Sequence, residues 1–239
     1  MKKPVHPPMP RATAVVVAAG SASRMRADKL FLMLADRPVL AWSLGALERA
    51  ASIERIVIVT RPDRIVAVQD ACHEFGITKA GDVIPGGSTR ARSVLAGVEA
   101  AGEAALLAIH DGARPFVPPA LIDALVMAAD ECGAAAPGVP VKDTIKQIDA
   151  EGFVLRTPDR GTLRAIQTPQ VFDAALLRRA LRLALERGLD PTDDCAAVES
   201  FGAKVHILEG DEMNFKLTTP ADFALAETII MQDEQELFI

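Results

Sequence analysis

Three stretches of the chain carry residue types suited to holding phosphate and a divalent cation. The first is Ala18-Ala19-Gly20-Ser21-Ala22-Ser23-Arg24-Met25, followed shortly by Asp28-Lys29-Leu30. Small residues let a backbone approach phosphate oxygens closely, and successive N–H groups can form a nest for an anion. Arg24 and Lys29 add fixed positive charge to the same segment. It is not a Walker loop, since no GxxxxGK[ST] occurs, and it lacks the further glycines of a dinucleotide fingerprint. An ordinary tight turn with solvated basic residues has the same composition. The second stretch is Ala108-Ile109-His110-Asp111-Gly112-Ala113-Arg114-Pro115. A carboxylate at the end of an apolar run is well placed to ligate Mg²⁺, a hard ion that needs only one or two carboxylates besides substrate phosphates. Arg114 can grip a second phosphate with two parallel donors. A helix cap and a surface ion pair would use Asp111 and Arg114 equally well, and His110 reads as a packed, hydrogen-bonded residue rather than a base. The third stretch is Pro85-Gly86-Gly87-Ser88-Thr89-Arg90-Ala91-Arg92-Ser93, where glycines permit close approach to a planar base and hydroxyls can read its polar edge; a turn and a helix N-cap account for part of it.

These stretches need elements that present them together. Residues 14–18 (AVVVA), 53–60, 82–85, 105–109, 134–139 and 204–208 read as strands. Residues 38–51, 63–75, 89–101, 119–132, 173–187, 193–201 and 220–231 read as helices. The alternation predicts an α/β fold, a mostly parallel twisted sheet with helices on both faces. Ligands of such sheets sit beyond the carboxyl ends of the strands, and each stretch above follows a strand. Residues 141–157 break the rhythm. DTIKQI and GFVLRT alternate polar and apolar around Asp149-Ala150-Glu151-Gly152, which predicts a protruding β-hairpin arm. An isolated hairpin is marginal in water, so the arm is expected to pack on another subunit.

The chain has 239 residues, half of them hydrophobic, and a net charge of −6. That length supports one sizeable core rather than two large domains. The expected organisation is a disordered tail over 1–11, one domain over 12–232 with residues 141–160 as a dimerisation arm, and a tail over 233–239. No clustered basic surface is evident, so nucleic acid is not an expected partner. No apolar run is long enough to span a membrane and the N-terminus lacks a signal-peptide core, so no membrane partner is expected either. Three well-separated cysteines, Cys72, Cys132 and Cys195, form neither a CxxC pair nor a zinc set and favour a reducing cytoplasm. No Ser-His-Asp or Cys-His setting is recognisable, which argues against acyl transfer.

Later segments are polar punctuation when taken singly: Val141-Lys142-Asp143-Thr144, Thr157-Pro158-Asp159-Arg160, Gln167-Thr168-Pro169-Gln170, Pro191-Thr192-Asp193-Asp194 and Asn214-Phe215-Lys216-Leu217-Thr218. In order, AAGxxxRM, a following lysine, GGxxRxxSV, HDxARP, PVxDT, TPQ, TDD and NxKxT resemble the 2-C-methyl-D-erythritol 4-phosphate cytidylyltransferase family over residues 13–230. The resemblance implies a Rossmann-like nucleotidyltransferase fold and a reaction of CTP with methylerythritol phosphate. The products would be CDP-methylerythritol and pyrophosphate, in the non-mevalonate isoprenoid pathway. It implies backbone contacts to the nucleotide from Ala18, Ala19 and Gly20, and charge stabilisation at the α-phosphate by Arg24 and Lys29. It gives cytosine and ribose to Gly87, Ser88 and Ser93, and Mg²⁺ (or another divalent cation) to Asp111, near both substrates. Arg114, Thr168, Thr192 and Lys216 would line the methylerythritol phosphate side. Thr144 and Arg160 would reach into the partner's site of a homodimer. Two positions depart from the family pattern: Asp28-Lys29-Leu30 replaces Pro-Lys-Gln, and Ser88 stands where an acidic residue is frequent. Alternative readings are a pentitol-phosphate cytidylyltransferase acting on ribitol 5-phosphate, a nucleotide-binding regulatory module without chemistry, and a nicotinamide oxidoreductase, which the missing glycines count against.

Overall fold

A computed structural model describes residues 9–20 and 28–236. Short runs of valine, isoleucine and alanine form the strands. In the first half these are β1 (Ala12–Ala18), β2 (Met33–Leu34), β3 (Arg37–Pro38), β4 (Ile53–Thr60), β5 (Ala80–Pro85) and β6 (Leu106–Asp111). The helices between them are α1 (Val39–Arg49), α2 (Ile65–Glu74) and α3 (Arg90–Ala100). The second half contributes α4 (Pro119–Cys132), β7 (Ala134–Pro140), β8 (Gln147–Ile148), β9 (Val154–Arg156), β10 (Arg164–Ile166) and β11 (Gln170–Asp173). It ends with α5 (Ala174–Glu186), α6 (Asp194–Ser200), β12 (His206–Glu209) and α7 (Pro220–Glu236). Helix ends follow local chemistry. Thr89 caps α3 by accepting from the Arg92 N–H, Asp173 caps α5 by accepting from Leu176, and Asp193 caps α6 by accepting from Ala196. Gly133 closes α4 at φ 84°, a left-handed conformation that favours glycine.

Strands β5, β4, β1 and β6 lie side by side and parallel, with Val15 paired to Val57 on one edge and to Ile109 on the other. Strand β11 joins β6 antiparallel, Gln170 opposite Ile109, and separates it from β7. Ala135 pairs with Val171 and with His206, which places β11 and β12 on opposite edges of β7. Strand β10 continues the β11 edge, Ile166 opposite Gly138. The sheet is therefore parallel except along the β10–β11 line. Alternating side chains feed two cores. Val16, Ile56, Ile58 and Ala108 pack with α1, α2, α4 and α7, while Val15, Val57, Val59, Ile109 and Phe172 pack with α3, α5 and α6.

Most expected elements are present, with shifted ends. The strand expected over 105–109 extends to Asp111, so His110 and Asp111 are its last residues rather than the start of a loop. The helix expected from 63 begins as a 3₁₀ turn, Pro62–Arg64, before α2. The short pairs β2–β3 and the strand β11 were not anticipated; two to four residues carry too little periodicity to be read. The arm is a separate two-stranded sheet, β8 with β9, whose turn closes through Asp149 and through Gly152 at φ 92°. The tails expected over 1–11 and 233–239 fall largely outside the described residues, and α7 runs on to Glu236. No helix among the described residues is long and apolar enough to cross a membrane.

Helix α3 lies unusually close to the sheet at Gly97. A Cβ there would collide with a Val15 methyl and approach a Val59 methyl at 2.8 Å, and neither β-branched side chain can swing aside. Gly97→Ala is expected to lower unfolding free energy by about 1–3 kcal/mol through overpacking, despite alanine's better helix propensity. Denaturant titration of the variant, and of Gly97→Ala with Val15→Ala as a compensating pair, checks this. A Gly97→Ala protein as stable as the parent would contradict the close approach.

Candidate functional site

The parallel strands end at one edge of the sheet, and a cleft of about 470 Å³ opens there. Ala19 and Gly20, following β1, line one side, and Gly87, Ser88 and Ser93, following β5, line the other. Asp111 forms the floor at the end of β6, in register with Val17 of β1. Lys29 and Lys216 complete the wall. Ala18, the last residue of β1, turns its side chain into the core and is not among the residues lining this cleft. Arg24 lies outside the described residues.

The loop after β5 is tied to the end of β4 and packs closely against the loop after β1. The Gly86 N–H donates to the Thr60 carbonyl at 2.8 Å, and a Cβ on Gly86 would strike the Ala19 methyl. Ser93 is buried, accepts from the Gly87 N–H at 3.1 Å and donates to the Thr89 carbonyl at 2.9 Å. Its hydroxyl thus frames the loop from within. The N-terminus of α3 opens on the cleft, where free N–H groups and the helix dipole favour an anion.

Lys29 starts a 3₁₀ turn, Lys29–Phe31, and its ammonium donates to the Leu217 carbonyl at 2.9 Å. The neighbouring Asp28 is spent elsewhere. It accepts from Arg61 at 2.8 Å and pairs with Arg64 at 3.1 Å. The acid anchors the start of the lysine's turn to the segment after β4 rather than neutralising the lysine.

Asp111 is 8% exposed and sits among three cations. Lys216 donates to Oδ2 at 2.8 Å, Arg90 stands 3.7 Å from Oδ1, and Arg114 stands 3.9 Å from Oδ2. Burial alone would push this carboxyl up, but Lys216, Arg90 and Arg114 overcome that and hold it down at about 2. Arg114 donates through a terminal nitrogen to the Asn214 carbonyl at 2.7 Å, while its buried Nε has no hydrogen-bond acceptor among the described residues. With Lys142, Gln167, Phe215 and Lys216, Arg114 borders a second hollow of about 360 Å³, so Lys216 lies on both hollows.

Behind Asp111 lies a buried relay. The Asp111 N–H donates to Thr168 Oγ1 at 3.0 Å, and Thr168 Oγ1 meets His110 Nδ1 at 3.1 Å. The Arg114 carbonyl beside Nε2 can only accept and the buried ring is neutral, so Nδ1 carries no proton and accepts from the Thr168 hydroxyl. Nε2 then carries the ring proton and donates to the Arg114 carbonyl at 3.2 Å. Thr168 is therefore committed to the strand end and not open to the cleft. Thr192 is exposed beside α6, and Thr144 and Arg160 are exposed near the arm, where Arg160 donates to the Lys142 carbonyl. None of the three borders either hollow in this chain.

Two residues of the site were missed by reading the sequence. Arg90, inside GGSTR, forks onto Asp194, the last residue of TDD, at 3.0 and 2.7 Å. Burial opposes the charge on Arg90, but Asp194 outweighs it and raises the guanidinium pKa further. The motif letters held both residues, and only their convergence in space marks them as a pair.

The match to known proteins spans this whole arrangement. The family described as 2-C-methyl-D-erythritol 4-phosphate cytidylyltransferase matches residues 12–232. The chain belongs to that family. A relative of that name from Caldanaerobacter subterraneus subsp. tengcongensis is 43% identical over 91% of this chain and 98% of its own. Another from Synechococcus elongatus is 44% identical over 91% of this chain and 95% of its own. The crystal structure of 4-diphosphocytidyl-2C-methyl-D-erythritol synthase from Anaerococcus prevotii superposes with a TM-score of 0.84 at 30% identity, covering 93% of this chain and 96% of the other. The expected fold class, an α/β nucleotidyltransferase with a mostly parallel sheet, is the one observed. The nicotinamide alternative falls with the family.

The buried imidazole sets a pH dependence. Burial pushes His110 down to about 4, against an ordinary 6.5 in the unfolded chain. Between those values the unfolded chain takes up a proton that the folded chain refuses, so stability is full above about 6.5, falls as pH drops, and levels below about 4. The loss is on the order of 3 kcal/mol. Urea unfolding from pH 7 to 4.5 should show this slope, and His110→Asn should flatten it. An unchanged slope in the variant would assign the proton to another group. Asp111 titrates lower and stays outside this window.

Proposed function

We propose that the chain transfers the cytidylyl group of CTP to 2-C-methyl-D-erythritol 4-phosphate, releasing pyrophosphate, in isoprenoid biosynthesis. The observation that carries the reading is Lys216, which is paired with Asp111 and lines both the cleft framed by the first and third motifs and the hollow bordered by Arg114. A nucleotide seated in the cleft and a polyol phosphate in the hollow would meet at this pair.

A phosphate oxygen of the acceptor attacks the α-phosphorus, the new P–O bond forms, and the bond to the β-phosphate breaks to free pyrophosphate. The attacking group is already an anion, so no strong general base is needed, and the demand is for in-line placement and charge neutralisation. Lys29 and Arg24 serve the α-phosphate. Backbone N–H groups of Ala19 and Gly20 cradle the phosphates, with Ala18 fixing the loop to the strand. Gly87 and Ser88 face the base, with Ser93 shaping their loop. Arg114 and Lys216 hold the acceptor phosphate, and Thr168 fixes the Asp111 backbone.

Asp111 fits a divalent cation as a single-carboxylate seat: Oδ2 is held by Lys216, and Oδ1 has only a long contact with Arg90. Among the described residues no cluster of three or more His, Cys, Asp or Glu side chains forms a closed metal site. One carboxylate plus substrate phosphates suits Mg²⁺. When bound, the ion would withdraw charge from the triphosphate and the leaving pyrophosphate.

The arm supports a homodimer. Phe153, Val154, Leu155 and Ile148 are all more than half exposed on a two-stranded sheet that pairs only with itself. An apolar surface on so small a sheet is favourable when covered. A second copy covering it would receive Thr144 and Arg160 beside its own acceptor hollow. The three cysteines are unpaired, in keeping with a reducing cytoplasm.

Pyrophosphate release with CTP and Mg²⁺ tests the reaction. Methylerythritol phosphate should be turned over well and ribitol 5-phosphate poorly; the reverse order would overturn the acceptor assignment. Lys29→Ala and Lys216→Ala should each lower kcat on the order of 10²-fold, the scale for losing one transition-state donor. Full turnover in both would remove these lysines from the mechanism. For the arm, sedimentation should report a dimer that Phe153→Asp with Leu155→Asp converts to monomer; a monomeric parent chain would refute the dimer.

A further inference from the structure

Among the described residues, Arg90 is the one cation near Asp111 that is itself anchored by a second buried carboxylate. Its guanidinium forks onto Asp194, which is 1% exposed, and the same terminal nitrogen that makes the 2.7 Å bond stands 3.7 Å from Asp111 Oδ1. Asp194 has little freedom. Gln170 Oε1 accepts from the Asp194 and Cys195 N–H groups at 3.1 and 3.0 Å, and Gln170 Nε2 donates to Asp193 at 2.9 Å. Gln170 is in turn held in the sheet opposite Ile109, two residues before Asp111. The chain of contacts returns to its starting strand.

A free arginine at the mouth of a phosphate cleft would sample several rotamers and could close directly on the nearest carboxylate. The fork denies Arg90 both options. It stays within electrostatic range of Oδ1 without covering it, while Lys216 occupies Oδ2. From this geometry we propose that Arg90, locked by Asp194, is a positioning residue that orients the Asp111 carboxylate for the cytidylyl transfer. The proposal rests on the role given to Asp111 above. A buried ion pair is weak evidence of added stability, since apolar residues of similar volume often replace one without loss. Added stability alone therefore does not account for an ion pair placed beside the reacting centre.

The experiment separates orientation from support by measuring Tm and steady-state turnover of CTP with methylerythritol phosphate in the full chain. Asp194→Asn leaves Arg90 in place without its anchor and should lower both Tm and kcat, the latter by about tenfold to a hundredfold, the range that sub-ångström misplacement produces. Arg90→Met combined with Asp194→Leu removes both charges and should recover Tm while kcat stays low. Recovery of kcat with Tm, to within about threefold of the parent, would show a supporting role only and overturn the proposal. If the double variant is also unstable, Arg90→Lys, assayed well below its Tm, decides. It keeps the charge but not the fork, and should lose kcat at least tenfold with little change in the KM for CTP. An unchanged kcat, or a loss confined to that KM, would overturn the proposal. A parent chain inactive with both substrates would instead refute the proposed function itself.

Discussion

Asp111 is a carboxylate taken almost out of water at the end of a central strand. An isolated ionised carboxylate in such a place is so costly that it would take up a proton instead. It stays charged because Lys216, Arg90 and Arg114 surround it, each arriving from a different segment: the stretch before α7, the start of α3 and the turn after β6. Those segments are remote in sequence and must all be in register for the charge to be tolerated. The requirement runs both ways, since Asp111 is what lets three cations approach one another within one site.

The sheet explains why these segments can converge. Parallel strands β1, β4, β5 and β6 all deliver their following loops to the same edge. The antiparallel β11 begins where they end, so it contributes residues at its start and not its finish. Gln170 opens that strand, and Thr168 sits just before it, joined through a cis bond to Pro169. Placed between β6 and β7, β11 thus supplies both the hydroxyl that holds the Asp111 N–H and the amide that holds Asp194. A further parallel strand in that position would have aimed its start at the opposite edge.

Much of this was legible in the sequence. Strands such as Ile53–Thr60 are runs of β-branched residues long enough to declare themselves, and the arm's alternation around Asp149–Gly152 marked a hairpin. Asp111, Lys29, Gly87 and Lys216 were placed together by motif order and do share a cleft. What could not be read was pairing at a distance. Arg90 and Asp194 are 104 positions apart, and nothing local to either tells that one will fork onto the other. Nor could the sequence say what a hydroxyl bonds within the protein: Thr168 accepts from the Asp111 N–H, and Ser93, which lines the cleft, accepts from the Gly87 N–H. Asp28 departs from the motif pattern, and nothing beside it in the chain tells that Arg61 and Arg64 take up its carboxylate.

These inward-facing hydroxyls divide the labour within the motifs. Small polar side chains fix loop shape, leaving backbone N–H groups and long cationic heads to meet the ligands. That division suits the chemistry, because both reactants are polyanions and repel each other. Lys29, Lys216, Arg90 and Arg114 stand against three carboxylates, Asp111, Asp193 and Asp194, so the cluster carries a local positive surplus within a chain whose net charge is −6. A surplus buried at the floor of a narrow cleft is screened less by salt than one on an open surface. It attracts the first anion and offsets repulsion toward the second. The carboxylates, by fixing the cations in place beforehand, keep that field aimed where charge must accumulate and spare the site from reorganising as the bond forms.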